Sequence, residues 1–245
     1  MKNGTKSYIM NYINRLKPNK VFSADTFVTD TISADAARMA LERMVSEGKI
    51  RKLGKGRYYK PEQSMFGEIA PSVEQVITDL VESKTHQPIG YLTGTMAFNQ
   101  LGLTTQVSSQ IQIGVRKYRR TIKRGQYSID FTLQPNAITR DNIYLLRLLD
   151  ALRFFRDIPA TTPNETISRM IFLIGKLQPE QQQRMIGLAL RYSPYVRALL
   201  GAILESIGTA DEQLKPLKAS LNSQTRYKLN ISKDILPTST DWNIR

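Results

Sequence analysis

The strongest constraint on the fold lies in the first sixty residues, where three helix-period segments run directly into a short basic hairpin. From Thr5 to about Leu16, Tyr8, Ile9, Tyr12, Ile13 and Leu16 recur at helical spacing. Lys17-Pro18-Asn19 stops that helix, because the residue before a proline disfavours helical backbone. A short second helix is expected after Ser23 as N-cap, with Phe27 and Val28 turned inward. Ser33 is a second good N-cap. The third helix, 34–47, places Ala37, Ala40, Leu41, Met44 and Val45 on one face and ends at Gly48. Lys49 to Leu53 and Arg57 to Lys60 then flank Gly54-Lys55-Gly56 and read as a hairpin, with Ile50, Leu53 and Tyr58 covering the helices.

That order is the winged-helix order, and its chemistry suits duplex DNA. A helix fits the major groove, and outward residues near its N-terminus can reach base edges. Here these are Ser33, Asp35, Ala36 and Arg38, with Met39 and Arg43 further along, while Lys52, Lys55 and Arg57 on the wing can reach phosphates. Charge points the same way. The chain carries a formal net charge of +14, and residues 1–60 hold thirteen Lys/Arg against five Asp/Glu. The nine residues 116–124 add six basic and no acidic side chains, which leaves sixteen of each sign elsewhere. The whole excess therefore lies in two segments, a pattern that favours a polyanionic partner. A winged helix also serves as a protein-interaction module, so docking of an acidic protein partner stays open as the alternative.

Beyond the wing, residues 61–72 read as a linker punctuated by Pro61, Gly67 and Pro71. A helix is expected over 73–83 and another from Thr93 as N-cap to Gly102. Ile111 to Val115 alternates as a strand, and 121–123 and 127–133 follow as two more. Arg116, Lys117, Arg119, Arg120, Lys123 and Arg124 form a basic edge. It is either a charged guard against sheet-to-sheet aggregation or a second phosphate-contacting surface. The remainder is helical: 141–155, then starts at Thr162-Pro163, Gln178-Pro179 and Ser193-Pro194, where proline at the first helical position forfeits no hydrogen bond. From Lys215 on, an extended tail is expected to pack back, with Trp242 as its anchor. The expected fold class is α+β, mostly helical. It comprises an N-terminal winged helix-turn-helix (1–62), a small α/β middle domain with the basic hairpin (70–135) and a C-terminal helical bundle with an extended tail (140–245).

Catalytic chemistry is hard to find. The chain has no cysteine, which removes disulfides, thiolate catalysis and cysteine-ligated metals. Its one histidine, His86, sits beside Gln87-Pro88 in an apparent loop. Leu92-Thr93-Gly94-Thr95 lacks the spaced glycines and lysine of a phosphate-binding loop. Asp130 has no second carboxylate at nuclease-like spacing. No enzyme activity, cofactor or metal site is expected. No apolar run approaches the roughly 20 residues that span a bilayer, and Met1-Lys2-Asn3-Gly4-Thr5-Lys6 is followed by no apolar segment of a secretory signal. The expected location is cytoplasmic, with no membrane partner.

The stretch Leu92-Thr93-Gly94-Thr95-Met96-Ala97-Phe98-Asn99-Gln100-Leu101-Gly102-Leu103-Thr104-Thr105-Gln106-Val107, placed after a winged helix, resembles the AbiEi-type antitoxins. So do Leu217-Lys218-Ala219-Ser220-Leu221-Asn222 and Trp242-Asn243-Ile244. These antitoxins are transcriptional regulators of abortive-infection (type IV) toxin–antitoxin operons. The resemblance implies repression through inverted repeats at the chain's own promoter; a homodimer on DNA is expected if that site is palindromic. It also implies opposition to a nucleotidyltransferase-like toxin without a stable complex. The DNA-reading role then falls on Ser33, Asp35, Ala36, Arg38 and Arg43, with Lys52, Lys55 and Arg57 on the wing. No motif assigns the antitoxic residues.

Overall fold

Residues 2–245 are described by a computed structural model, and the fold is α+β. In the first sixty residues α1 spans Lys2–Arg15, β1 Val21–Ser23, α2 Ala34–Ser46, β2 Arg51–Gly54 and β3 Arg57–Tyr59. A single 3-10 turn, Ala24–Phe27, stands where a short second helix was expected. Phe27 is fully buried, whereas Val28 points out. The reason is local: Val28 already has extended backbone, so it leaves the turn instead of continuing its inner face. The inward side chains of these elements make one core of Ile9, Ile13, Phe22, Phe27, Leu41, Met44, Ile50 and Tyr58. Phe27 is met edge-on by Tyr12 and Phe22, at ring separations of 5.2 and 5.8 Å. Both are arrangements that aromatic quadrupoles favour. The three strands form an antiparallel sheet in the order β1-β3-β2, with Phe22 and Lys52 on either side of Tyr58.

The stretch 61–72, expected as a linker, instead holds a small antiparallel hairpin. Its strands are β4 (Glu62–Ser64) and β5 (Gly67–Ile69), and Arg51 secures it with a two-point ion pair to Glu68. Met65 and Phe66 at its turn are 96% and 98% exposed. Ser72 and Gln75 then cap α3 (Val73–Val81) reciprocally.

The later elements are β6 (Gly90–Thr93), α4 (Gly94–Gln100), β7 (Gln110–Val115), β8 (Ile122–Arg124) and β9 (Tyr127–Leu133). They form a sheet ordered β6-β7-β9-β8, in which Gly90 to Thr93 pair antiparallel with Val115 to Gln112. Helices α5 (Arg140–Arg153), α6 (Pro163–Gly175), α7 (Pro179–Ala189), α8 (Pro194–Ser206) and α9 (Asp211–Ala219) follow. Thr162 and Glu165 cap α6 reciprocally. α8 is buried nearly all round, through Val196, Leu199, Leu200, Ile203 and Leu204. That is the pattern of a core helix. Trp242 is fully buried as the expected anchor, and its ring lies against Gly201, where a Cβ would sit 2.1 Å from it. The tail is less extended than expected, because 211–219 is helical around Pro216.

The chain divides into two compact units: residues 1–85 with 122–128, and 86–121 with 129–245. The turn between β8 and β9 belongs with the first unit because Gly125 N–H donates to the Leu53 carbonyl at 2.6 Å. Among the described residues no helix is long and apolar enough to cross a membrane.

Candidate nucleic-acid interface

The outward face of α2 is set by what its inner face must bury. Ser33 accepts a hydrogen bond from the Ala36 N–H, starting the helix, and Ala37, Leu41 and Met44 face the core. Asp35, Ala36, Arg38, Met39 and Arg43 are therefore left in solvent, and Met39 is 58% exposed. Asp35 and Arg38 pair with each other one turn apart, at 3.0 Å. Such exposed pairs exchange easily with solvent and contribute little to stability.

On the hairpin, Lys52 donates to Glu42 of α2 at 2.6 Å, and Tyr58 donates to the same oxygen at 2.7 Å. Lys52 and then Tyr58 hold the Glu42 carboxyl below the usual carboxylate range. Burial, followed by that carboxylate, pushes the Tyr58 phenol up to about 12. Lys55, at the turn before Gly56 (φ +67°), is exposed. Neither Lys55 nor Arg43 enters an ion pair among the described residues.

Arg57 and Arg124 are placed differently from the expectation. Arg124 is 6% exposed in its side chain; its Nη1 donates to both the Val76 carbonyl and Asp79, and its Nη2 to Asp79, at 2.5 and 3.0 Å for the two carboxylate contacts. Arg57 donates through Nε to Oδ2 of the same carboxylate at 2.8 Å. Burial would raise the Asp79 carboxyl, but Arg124 and then Arg57 outweigh it, so it lies below its ordinary value. Arg124 is thus removed from the phosphate-contacting set, because its donors are spent inside the first unit, and Arg57 is partly committed. Gly54 belongs to this arrangement, since a Cβ there would stand 2.9 Å from the Lys123 carbonyl. Sequence reading missed the cluster because Asp79 lies 22 and 45 residues from its two partners, and no local pattern carries such distances.

The rest of the basic segment is divided between the units. Lys123 is exposed in the first. Arg116, Lys117, Arg119 and Arg120 are exposed in the second, where Arg116 donates to the Pro135 carbonyl and Arg119 lies 5.6 Å from the centre of the Phe131 ring.

The second unit also holds a polar cluster that sequence reading passed over. Asp150, 1% exposed on α5, accepts from Tyr91 (2.6 Å), Thr93 (2.8 Å) and Tyr192 (2.9 Å). Gln134 donates to both tyrosine oxygens. Burial drives the Asp150 carboxyl upward despite these donors. Thr93, expected to cap α4, spends its hydroxyl here and makes no cap bond. Its neighbour Gly94 (φ +69°) admits no Cβ, which would fall 2.0 Å from the Gln112 side chain. This part of the Thr-Gly-Thr stretch therefore serves packing. Among the described residues no group of three His, Asp or Glu side chains is placed to hold a metal.

The model of a family of unknown function, DUF6088, matches residues 8–181. No curated protein matches the chain. Among solved structures, the crystal structure of RV2827C protein from Mycobacterium tuberculosis is similar, at 13% identity and a TM-score of 0.47, over 91% of this chain and 84% of that one.

Proposed function

The chain belongs to DUF6088, a family of unknown function, and we propose that it is a DNA-binding transcriptional regulator whose first unit is a winged helix. In this reading α2 enters the major groove and the β2–β3 hairpin is the wing. The observation that carries it is the face of α2. The helix is fixed through Ala37, Leu41 and Met44, and it holds Ala36, Met39 and Arg43 out beside a wing tip bearing the unpaired Lys55. A rigid helix with an uncommitted small, apolar and cationic face suits base edges and thymine methyl groups, and a lone cation at a turn suits a phosphate. With the AbiEi-type resemblance, the same reading makes the chain an autorepressor and antitoxin of a nucleotidyltransferase-like toxin.

Fluorescence anisotropy tests it, using the fragment upstream of the chain's own gene and a shuffled duplex across a salt series. The expected result is a preference of about 10³-fold or more for the native fragment, with affinity falling steeply as salt rises. Equal binding to both duplexes would sink it. Arg38, Lys52 and Arg57 are each already paired with a carboxylate of the first unit, which leaves Arg43 and Lys55 as the uncommitted cations of this face. The alternative is a module docking an acidic protein partner. That module would bind both duplexes weakly, and one stoichiometric protein would accompany it from cells.

A further inference from the structure

A cleft of about 490 Å³ opens in the second unit between the end of α5, the turn after it, the start of α8 and the segment 226–229. Four cations line it, Arg153, Arg156, Arg226 and Lys228, against one carboxylate, Asp157. Among the described residues none of the four is in an ion pair, unlike Arg57, Arg124 and Lys52 of the first unit. Three of them are nevertheless held in place. The Arg153 guanidinium lies 5.0 Å from the centre of the Phe154 ring, and that of Arg156 lies 5.7 Å from Phe155. Arg226 is pinned by the Ser223 and Thr225 carbonyls, at 2.6 and 3.2 Å. A guanidinium fixed without being neutralised keeps a fork of donors ready for phosphate oxygens at little entropic cost.

The wall is also built in advance. Tyr227 exchanges backbone hydrogen bonds of 2.8 Å with Asn243 and Arg245, which sets 226–229 against the C-terminal residues. Tyr195 and Tyr227 also line the cleft, and both pack on the core of this unit. The Tyr227 hydroxyl is buried without a hydrogen-bond partner among the described residues. The volume lies within the range of small-molecule sites.

We propose that this cleft binds a nucleoside phosphate, with the phosphates on Arg156, Arg226 and Lys228 and the base against the tyrosine rings. The inference is independent of DNA binding by the first unit. Calorimetric titration of the full chain with ATP, GTP, CTP and UTP tests it, with pyrophosphate and adenosine as the two halves. At least one triphosphate should bind with 1:1 stoichiometry and a Kd below about 1 mM, more tightly than either half. The double variant Arg226→Ala/Lys228→Ala changes two exposed side chains and should weaken it by about tenfold or more. Arg156→Gln should act in the same direction should the double variant misfold, and Lys55→Ala should leave nucleotide binding unchanged. Absence of saturable binding, or wild-type affinity in folded variants of the cleft, would overturn the site. Pyrophosphate binding as tightly as the best triphosphate would overturn the assignment of a nucleoside.

Discussion

Asp150 is the residue on which most buried donors depend, since three hydroxyls from distant parts of the second unit converge on its carboxylate. Asp150→Ala should therefore lower stability by about 3 kcal/mol or more, because a buried donor left without its acceptor bears its full desolvation cost. Asp150→Asn keeps one acceptor oxygen and should cost less. Urea denaturation measures both, and an unchanged midpoint in Asp150→Ala would mean that water or a rearranged Gln134 replaces the carboxylate. The sequence held a signal here, an acid inside the run Leu148-Leu149-Asp150-Ala151-Leu152. Helical periodicity alone ranked the leucines and passed over the charge. Trp242 was legible as an anchor, but its counterpart Gly201 was not, since only the packed structure brings that ring to its Cα.

Among the elements, those with both a cap and an apolar stripe were legible. The Ser33 cap and the Ala37/Leu41/Met44 face specify α2, and the Thr162 and Glu165 pair specifies the start of α6. The hairpin of β4 and β5 escaped because both strands are exposed on all three residues, so no alternation marks them. α9 escaped because Pro216 lies inside it, where the ring removes a helical hydrogen bond. In the candidate interface the outward residues of α2 and of the β2–β3 hairpin were foreseen, but the pairing that divides them was not. It yields a test at this scale. Lys55 is free to meet a phosphate, whereas Lys52 shares Glu42 with Tyr58. Lys55→Ala should reduce the salt slope of DNA binding by about one unit on every sequence, and Lys52→Ala by less. Anisotropy at several salt concentrations measures the two slopes, and equal reductions would show that the ion pair to Glu42 opens freely on DNA.

Across the whole molecule, the two units should answer acid differently. In the first, Glu42, Glu47 and Asp79 all lie below their ordinary values, with Lys49 and Lys6 drawing Glu47 down to about 2. A depressed carboxyl stabilises the fold above its unfolded value, and that contribution is lost as pH falls through the folded one. The second unit has two such groups, Asp130 and Glu165. It also holds Asp150, shifted upward, whose burial penalty is relieved as it gains its proton. From neutrality to about pH 3, amide hydrogen exchange should therefore lose more protection in the first unit than in the second; equal losses would refute this. The division itself was not legible, because nothing local in 122–128 says that it packs with residues about seventy positions earlier. That placement has a consequence for the order of events during synthesis. The first unit is not finished when residue 85 leaves the ribosome, since Arg124, the buried partner of Asp79, has yet to emerge. At ordinary elongation rates the stretch 86–121 takes roughly 2–7 s to make. For that interval Asp79 has only Arg57 beside it, and the nascent N-terminal half waits for its last strand.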